Sequence, residues 1–171
     1  MNPLQARLAL AAIARSQVGT KEIGGNNRGP QIVEYQKATW LEPGAWPWCA
    51  AFVCWCIREW LKNPSVNGTL SLSDPEAWRP KTAGAWDMAN WARKHGRPIF
   101  GETAEVRAGD LILFDFSHIG LVVEAAPVGV DRIVTVEGNT NGAGDRDSTA
   151  GDGVWEKERS RHLAKQFIRL V

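Results

Sequence analysis

The chain has 171 residues, a length that fits a single domain with a substantial core. Twenty lysines and arginines stand against 19 aspartates and glutamates, and the net charge of +1 gives no field that would favour nucleic acid or an anionic membrane. The three cysteines are an odd number, and two of them lie two residues apart on a predicted helix, so a disulfide framework is not expected.

The first half of the chain carries helical signals. An Ala-rich run predicts a first helix over residues 3–18, and no small-residue cleavage site follows it as in a signal peptide. Further helices are predicted over residues 31–39, from Cys49 to about residue 61, and over 83–95. Residues 62–81 carry several Asn-Pro, Asn-Gly and Asp-Pro turn signals and are predicted to form a long irregular stretch, typical of a lid or rim.

The second half of the chain has strand-like patterns. Short β-type runs occupy residues 111–114, 119–123 and 132–136, and residues 155–159 and 166–171 are read as two further strands. Helices first and an antiparallel sheet afterwards are typical of the α+β class. We therefore predict one α+β domain over residues 1–171, with N-terminal helices packed on a C-terminal antiparallel sheet.

The segment Trp46-Pro47-Trp48-Cys49 contains a candidate nucleophile. Pro47 suits the first position of a helix, and Cys49 then falls two residues later, within the first turn. The unpaired N–H groups and the positive dipole end of that turn favour a negatively charged sulfur, and the thiolate is the nucleophilic form of cysteine. A free cysteine taken alone is more often a small buried residue, so this prediction depends on finding a base.

Among the three histidines, His118 is the candidate base. His95 ends a predicted helix and His162 lies in a charged run, so both are predicted to be at the surface. His118 opens a predicted strand beside apolar residues, where it faces the sheet.

A hairpin register supplies a partner for His118. If strands 118–124 and 131–137 pair around a loop centred between residues 127 and 128, His118 stands directly opposite Glu137, whose carboxylate is then close enough to accept the imidazole N–H. Asn139 projects from the same face if the strand continues. Cysteine, histidine and a carboxylate or amide are the parts of papain-type nucleophilic catalysis.

Nine tryptophans are a high content for this length, and indole rings either fill cores or stack on ligands. Trp46 and Trp48 flank the candidate nucleophile and are predicted to wall a substrate groove. Four others lie in helical patterns and are predicted to be in the core: Trp55, Trp60, Trp86 and Trp91.

Three blocks of the sequence resemble the CHAP domain, the cysteine, histidine-dependent amidohydrolase/peptidase family: residues 48–53, residues 108–122 with their Gly-Asp and Ser-His pairs, and residues 136–140. The resemblance runs from about residue 10 to the C-terminus. It implies a papain-like fold that hydrolyses an amide bond of peptidoglycan, as an N-acetylmuramoyl-L-alanine amidase or as an endopeptidase of the stem or cross-bridge.

The resemblance also implies roles for individual residues. Cys49 is the nucleophile, His118 the general base and then acid, and Glu137 the orienter of the imidazole, with Asn139 assisting or substituting. The backbone N–H of Cys49 is one donor to the oxyanion, and Tyr35 is a candidate for the other.

No cofactor is expected. The segment before Cys49 lacks the closely spaced aspartates typical of family members with a calcium site. A second stretch matches four positions of a calcium loop, but Ala150 stands where that loop needs glycine, so a solvated loop is the favoured interpretation. The four candidate ligands are Asp145, Asp147, Thr149 and Glu156.

Two other functions stay open at this point: a catalytically silent wall-binding or virion module of the same fold, and an antibacterial amidase effector. The favoured setting is phage lysis or wall penetration by a monomer that is made in the host cytoplasm without a signal peptide and acts on the cell wall or periplasm. Peptidoglycan is its expected substrate, a holin its indirect partner, and neither nucleic acid binding nor membrane insertion is expected.

Overall fold

The structure is a computed structural model that describes residues 1–142 and 151–171. Helices precede most of the sheet in these ranges, so the predicted α+β class is confirmed. The helices are α1 (Pro3–Arg15), α2 (Pro30–Gln36), α3 (Cys49–Leu61), α4 (Pro64–Leu70), α5 (Pro75–Trp78) and α6 (Asp87–Lys94), with a 3₁₀ helix at Arg161–Leu163. The strands are β1 (Ile99–Phe100), β2 (Leu111–Phe114), β3 (Ile119–Val122), β4 (Arg132–Thr140), β5 (Gly153–Ser160) and β6 (Ala164–Ile168).

The six strands form one antiparallel sheet in the order β1-β6-β2-β3-β4-β5. Alternate residues of β2 and β3 point to opposite faces, as the pleat of a strand requires. One face, with Leu113 and Leu121, packs in the main core against the helices, and the other, with Phe114 and Val122, forms a smaller apolar cluster. The helix α3 is buried along its length between α1, α2 and the sheet.

The N-terminus of α3 differs from the prediction. Cys49 is the first helical residue, and Trp48 is the N-cap, with φ −117° and ψ 18°, outside the helical region. Pro47 therefore precedes the helix instead of occupying its first position. Cys49 consequently lies at the tip of α3, where the first N–H groups have no intrahelical acceptor.

The stretch over residues 62–81 is not one irregular loop, which corrects the prediction. It contains α4 and α5, each with a proline at the first helical position. The Asn63 side chain accepts from the N–H of Ser65, and the Asp74 side chain accepts from the N–H of Ala77. Asn-Pro and Asp-Pro are turn signals in many sequences, but here each is a cap followed by the residue best suited to open a helix.

The pairing of β3 with β4 is shifted by two residues from the predicted register. Leu121 pairs with Val136 and Val122 with Thr135, so Gly120, and not His118, stands opposite Glu137. Because side chains alternate with a period of two, a shift of two residues keeps the same residues on the same face. The predicted partner of His118 survives for this reason.

Among residues 1–142 and 151–171, no helix is long and apolar enough to cross a membrane.

Candidate active site

Cys49 lies at the start of α3 and is 6% exposed. The other two cysteines, Cys54 and Cys56, follow on the same helix, have no exposed surface and are free thiols. Burial raises the pKa of Cys54 to about 12 and raises the pKa of Cys56 well above its usual value. Only Cys49 among the three combines some access to solvent with a helix start.

His118 lies immediately before β3, with 6% of its surface exposed. Its ring stacks on Phe116, with ring centroids 5.9 Å apart, and on Phe114, 5.5 Å away. The N–H of Phe114 donates to the carbonyl of His118. These contacts fix the imidazole against the end of β2.

The carboxylate of Glu137 is the partner of one imidazole nitrogen. Nε2 of His118 lies 2.9 Å from Oε2 of Glu137, which has no exposed surface. A Cβ at Gly120 would come within 2.7 Å of Cγ of Glu137, so the missing side chain at this position makes room for the carboxylate. The diagonal contact between His118 and Glu137 depends on glycine between them.

Glu137 also contacts a buried arginine, which no sequence motif identifies. Arg159 of β5 donates from Nε to Oε1 of Glu137 at 2.8 Å and from Nη2 to Oε2 at 2.5 Å. Thr135 donates its hydroxyl to Oε1 at 2.5 Å. Burial alone raises the pKa of Glu137, but the hydrogen bonds from Arg159 and His118 outweigh burial and lower this pKa to about 2. Glu137 is therefore ionised at neutral pH.

Cys49 and His118 meet in the structure. The side chain of Cys49 lies within interaction range of the imidazole, and since Glu137 takes Nε2, Nδ1 of His118 is the nitrogen left for the sulfur. Burial lowers the pKa of His118, but the hydrogen bonds with Cys49 and Glu137, together with their charges, outweigh burial and raise this pKa to about 9. His118 is thus an imidazolium at pH 7, and a positive charge beside a cysteine favours the thiolate.

Close packing of β4 on α3 brings these groups together. A Cβ at Gly138 would lie 2.6 Å from Cβ of Phe52 and 2.7 Å from Cζ3 of Trp48. Gly138 therefore allows the strand that carries Glu137 to lie directly against the first turn of the helix that begins at Cys49.

Two predicted site residues are structural instead. Trp48 has no exposed surface, donates from Nε1 to Glu22 at 2.9 Å and stacks on Tyr35. Tyr35 is also fully buried, and its hydroxyl donates to Gln17 at 2.9 Å. Burial raises the pKa of Tyr35 to about 12. Trp48 therefore cannot wall a groove, and Tyr35 cannot reach an oxyanion, because both rings fill the core beneath α3.

The remaining tryptophans divide differently from the prediction. Trp46 is half-buried and donates from Nε1 to the carbonyl of Glu42 at 2.8 Å, so its contact with substrate stays a prediction. Trp60 is buried, as predicted. Trp86 is 46% exposed, because α6 begins only at Asp87 and leaves this ring ahead of the helix.

Asn139 does not continue β4 regularly. It has a φ of 56°, and the pairing of β4 with β5 shifts between Glu137 and Thr140. The alternation that was to place Asn139 on the face of His118 is thus interrupted, and its assisting role stays a prediction.

The other two histidines lie apart from this cluster. His162 is exposed and pairs with Glu102 at 3.1 Å. His95 is half-buried at the C-cap of α6, where it contacts the rings of Trp78 and Trp91, so its predicted surface position is only partly correct.

The weak calcium pattern falls largely outside the described residues, since Asp145, Asp147 and Thr149 belong to the segment between 142 and 151. Its fourth member, Glu156, accepts from Arg15 at 2.8 Å. Within the ranges that the structure describes, no group of three or more His, Cys, Asp or Glu side chains is arranged to hold a metal ion.

A helix-borne cysteine, an imidazolium and a buried carboxylate in series define the class of cysteine-nucleophile hydrolases. A family model described as the CHAP domain matches residues 41–139, which hold the cysteine, the histidine and the glutamate. The match spans more than half of the chain, so the protein belongs to the CHAP domain family, whose members are generally cysteine, histidine-dependent amidohydrolases or peptidases. Neither the curated proteins nor the solved structures gave a match.

Proposed function

We propose that the protein hydrolyses an amide bond of peptidoglycan with Cys49 as its nucleophile. The observation that carries this proposal is the unbroken series Cys49, His118, Glu137, in which each side chain contacts the next. A wall-binding module would have no use for a buried carboxylate aimed at an imidazole, and burial of such groups costs free energy.

The first step is acylation. The Cys49 thiolate attacks the amide carbonyl carbon, and a new C–S bond forms as the carbonyl oxygen becomes an oxyanion beside the N-terminal N–H groups of α3. The imidazolium of His118 then donates its Nδ1 proton to the amine nitrogen. The C–N bond breaks, the amine leaves, and His118 is neutral.

The second step is deacylation. Neutral His118 removes a proton from water, whose oxygen attacks the thioester carbon. Collapse of this intermediate releases the carboxylic acid and restores the thiolate and the imidazolium. Glu137 accepts the hydrogen bond from the Nε2–H group throughout, so the ring presents Nδ1 to the reacting atoms in both steps.

Purified peptidoglycan tests the proposal. We expect the wild-type protein to release soluble fragments and Cys49→Ala to release none, with the circular dichroism of the variant unchanged. Cys54→Ala is the matched control, since this thiol is buried farther along the same helix. Lysis by Cys49→Ala equal to that of the wild type would contradict the mechanism.

Mass spectrometry of the digest identifies the bond. A new amino terminus on L-alanine indicates an amidase, and one on D-alanine, glycine or another residue of the stem or cross-bridge indicates an endopeptidase. Action in phage lysis or wall penetration stays a proposal that rests on the family alone.

A further inference from the structure

Arg159 is placed on β5 opposite Ile133, and its side chain is 1% exposed. From there the side chain extends along the sheet face to Glu137, where Nε and Nη2 each donate to a different carboxylate oxygen. Two parallel hydrogen bonds of this kind fix the plane of a carboxylate as well as its position.

Each oxygen of Glu137 has a defined set of donors. Oε1 accepts from Arg159 and from the hydroxyl of Thr135, and Oε2 accepts from Arg159 and faces Nε2 of His118. Rotation of the carboxylate would break several hydrogen bonds, and Glu137 has no exposed surface at which water could replace them. The direction in which Oε2 faces His118 is therefore set by Arg159 together with Thr135.

The ring of Phe114 contacts both Arg159 and His118. The guanidinium carbon of Arg159 lies 5.1 Å from the ring centroid of Phe114, and the imidazole of His118 stacks on the same ring at 5.5 Å. Arg159 and His118 therefore both pack on Phe114, and both contact the carboxylate of Glu137.

We propose that Arg159 is a positioning residue of the active site, which holds Glu137 in the orientation that keeps the Nε2 proton on His118 and presents Nδ1 to Cys49. The proposal rests on the cysteine-hydrolase function above, since only that chemistry needs one imidazole tautomer.

The physical reason lies in the neutral form of His118 that exists between the two steps. The ring nitrogen that keeps the proton is decided by the hydrogen-bond acceptor it finds. An ionised, fixed Oε2 accepts only, so the proton stays on Nε2 and the lone pair of Nδ1 remains free to activate water. A carboxyl that had turned or taken a proton would allow the opposite tautomer, in which Nδ1 carries the proton and is no base.

The effect of Arg159 on His118 passes through Glu137. The groups that act on the imidazole are Cys49 from α3 and Glu137 from β4, the guanidinium of Arg159 donates to the same Oε2 that Nε2 contacts, and the rings of Phe114 and Phe116 cover the imidazole from the β2 side. Loss of the arginine leaves the acceptor of Nε2 less fixed and also removes a positive charge, so the tautomer of neutral His118, and not its pKa, reports on positioning.

Nuclear magnetic resonance of protein with ¹⁵N-labelled histidine measures this directly and needs no substrate. The sequence contains three histidines, and His118→Ala assigns the signal. In the wild type we expect a titration midpoint near pH 9 and, above it, a proton on Nε2. Arg159→Met should distribute the proton of the neutral ring over both nitrogens. Arg159→Lys, which keeps the charge without the paired donors, should lie between.

Arg161 offers a matched control. It is also a buried arginine, 5% exposed, but its guanidinium donates to the backbone carbonyls of two loops, among them those of Val130 and Ala104. Arg161→Met should lower the melting temperature and leave the midpoint and tautomer of His118 at their wild-type values, which separates positioning from a general loss of packing.

An unchanged tautomer of His118 in folded Arg159→Met would overturn the proposal. If that variant does not fold, Arg159→Lys decides in the same way, since it keeps the charge and most of the volume. In a Glu137→Gln background, Arg159→Met should cause no further change in the tautomer of His118, and a further change would show that the arginine acts by another route. Because no wall fragment is used, these results stand whether or not peptidoglycan proves to be the substrate.

Discussion

His118 carries its positive charge because two negative partners outweigh burial. Burial lowers the pKa of this imidazole, but the interactions with Cys49 and with the carboxylate of Glu137 outweigh burial and raise it to about 9. The acylation step consumes the imidazolium proton, so the protonated fraction of His118 limits the rate. The imidazolium that favours the thiolate is thus also the acid that protonates the leaving amine.

We expect an alkaline limit to activity. The rate of amide hydrolysis should fall as the pH rises through about 9, the pKa of His118 in the folded protein. The free energy of unfolding should change with pH in the same direction. The pKa of His118 in the folded protein is raised above the usual 6.5, so the stabilisation from this group is complete below about pH 6.5 and is lost as the pH rises through 9.

Initial rates on purified peptidoglycan between pH 5 and 11 check the pH dependence of activity, and urea unfolding at several of these pH values checks that of stability. Glu137→Gln should move the alkaline limit of activity to lower pH, because it removes one of the two negative partners. A rate that keeps rising beyond pH 10 would contradict this assignment of the acid.

At the scale of elements, the site is a contact between the first turn of α3 and the middle of β4. Gly138 makes that contact possible, since Phe52 and Trp48 occupy the space where a side chain would be. Both rings are fully buried and lie in the main core, so neither has room to withdraw. The separation of the strand from the helix then sets the separation of Glu137 from Cys49.

Gly138→Ala should therefore reduce both stability and activity. A methyl group in this packed contact is expected to cost about 1–3 kcal/mol of unfolding free energy and to lower kcat/KM by more than tenfold, since it moves β4 away from α3. Urea unfolding and hydrolysis rates measure the two effects. Gly101→Ala is the control, because no atom lies within 4 Å of its added Cβ. Wild-type activity in Gly138→Ala would show that the spacing of these elements is not critical.

The elements themselves were largely predictable where periodicity was long. The helix from Cys49 to Leu61 and the strands at 111–114 and 119–122 follow from apolar spacing, because burial of one face selects that spacing. Two short helices, α4 and α5, were not predicted, because their caps coincide with turn signals and their seven and four residues show too little periodicity to outweigh those signals.

The site residues that could be predicted are those with a local signal in the sequence. Cys49 and His118 could be found from their neighbours, and Glu137 from the parity of a hairpin even though the register was two residues off. Arg159 could not be found, since it reaches Glu137 diagonally across β4 and β5, and nothing local distinguishes it from the other charged residues of β5. Trp48 and Tyr35 were misassigned because an aromatic next to a nucleophile has the same sequence signature in a core and in a groove.

At the scale of the whole molecule, α3 is the element around which the rest is assembled. It packs against α1, α2, α4, β3 and β4, and both Cys54 and Cys56 lie on it without exposed surface. Cys54 donates from Sγ to the carbonyl of Thr82 at 3.4 Å, so the segment between α5 and α6 covers this thiol in addition to the helices. We therefore expect both thiols to become accessible only when the packing around α3 opens.

Alkylation should distinguish Cys49 from the two buried thiols. Iodoacetamide at pH 6 should modify Cys49 alone in the native protein, because burial holds the pKa of Cys54 at about 12 and that of Cys56 well above its usual value. In Cys49→Ala, modification of the two buried thiols should depend on urea in the same way as global unfolding, which the fluorescence of the nine tryptophans monitors. Rapid modification of Cys54 or Cys56 that does not depend on urea would show that α3 opens locally, and the domain would then not be the single cooperative unit that its packing indicates.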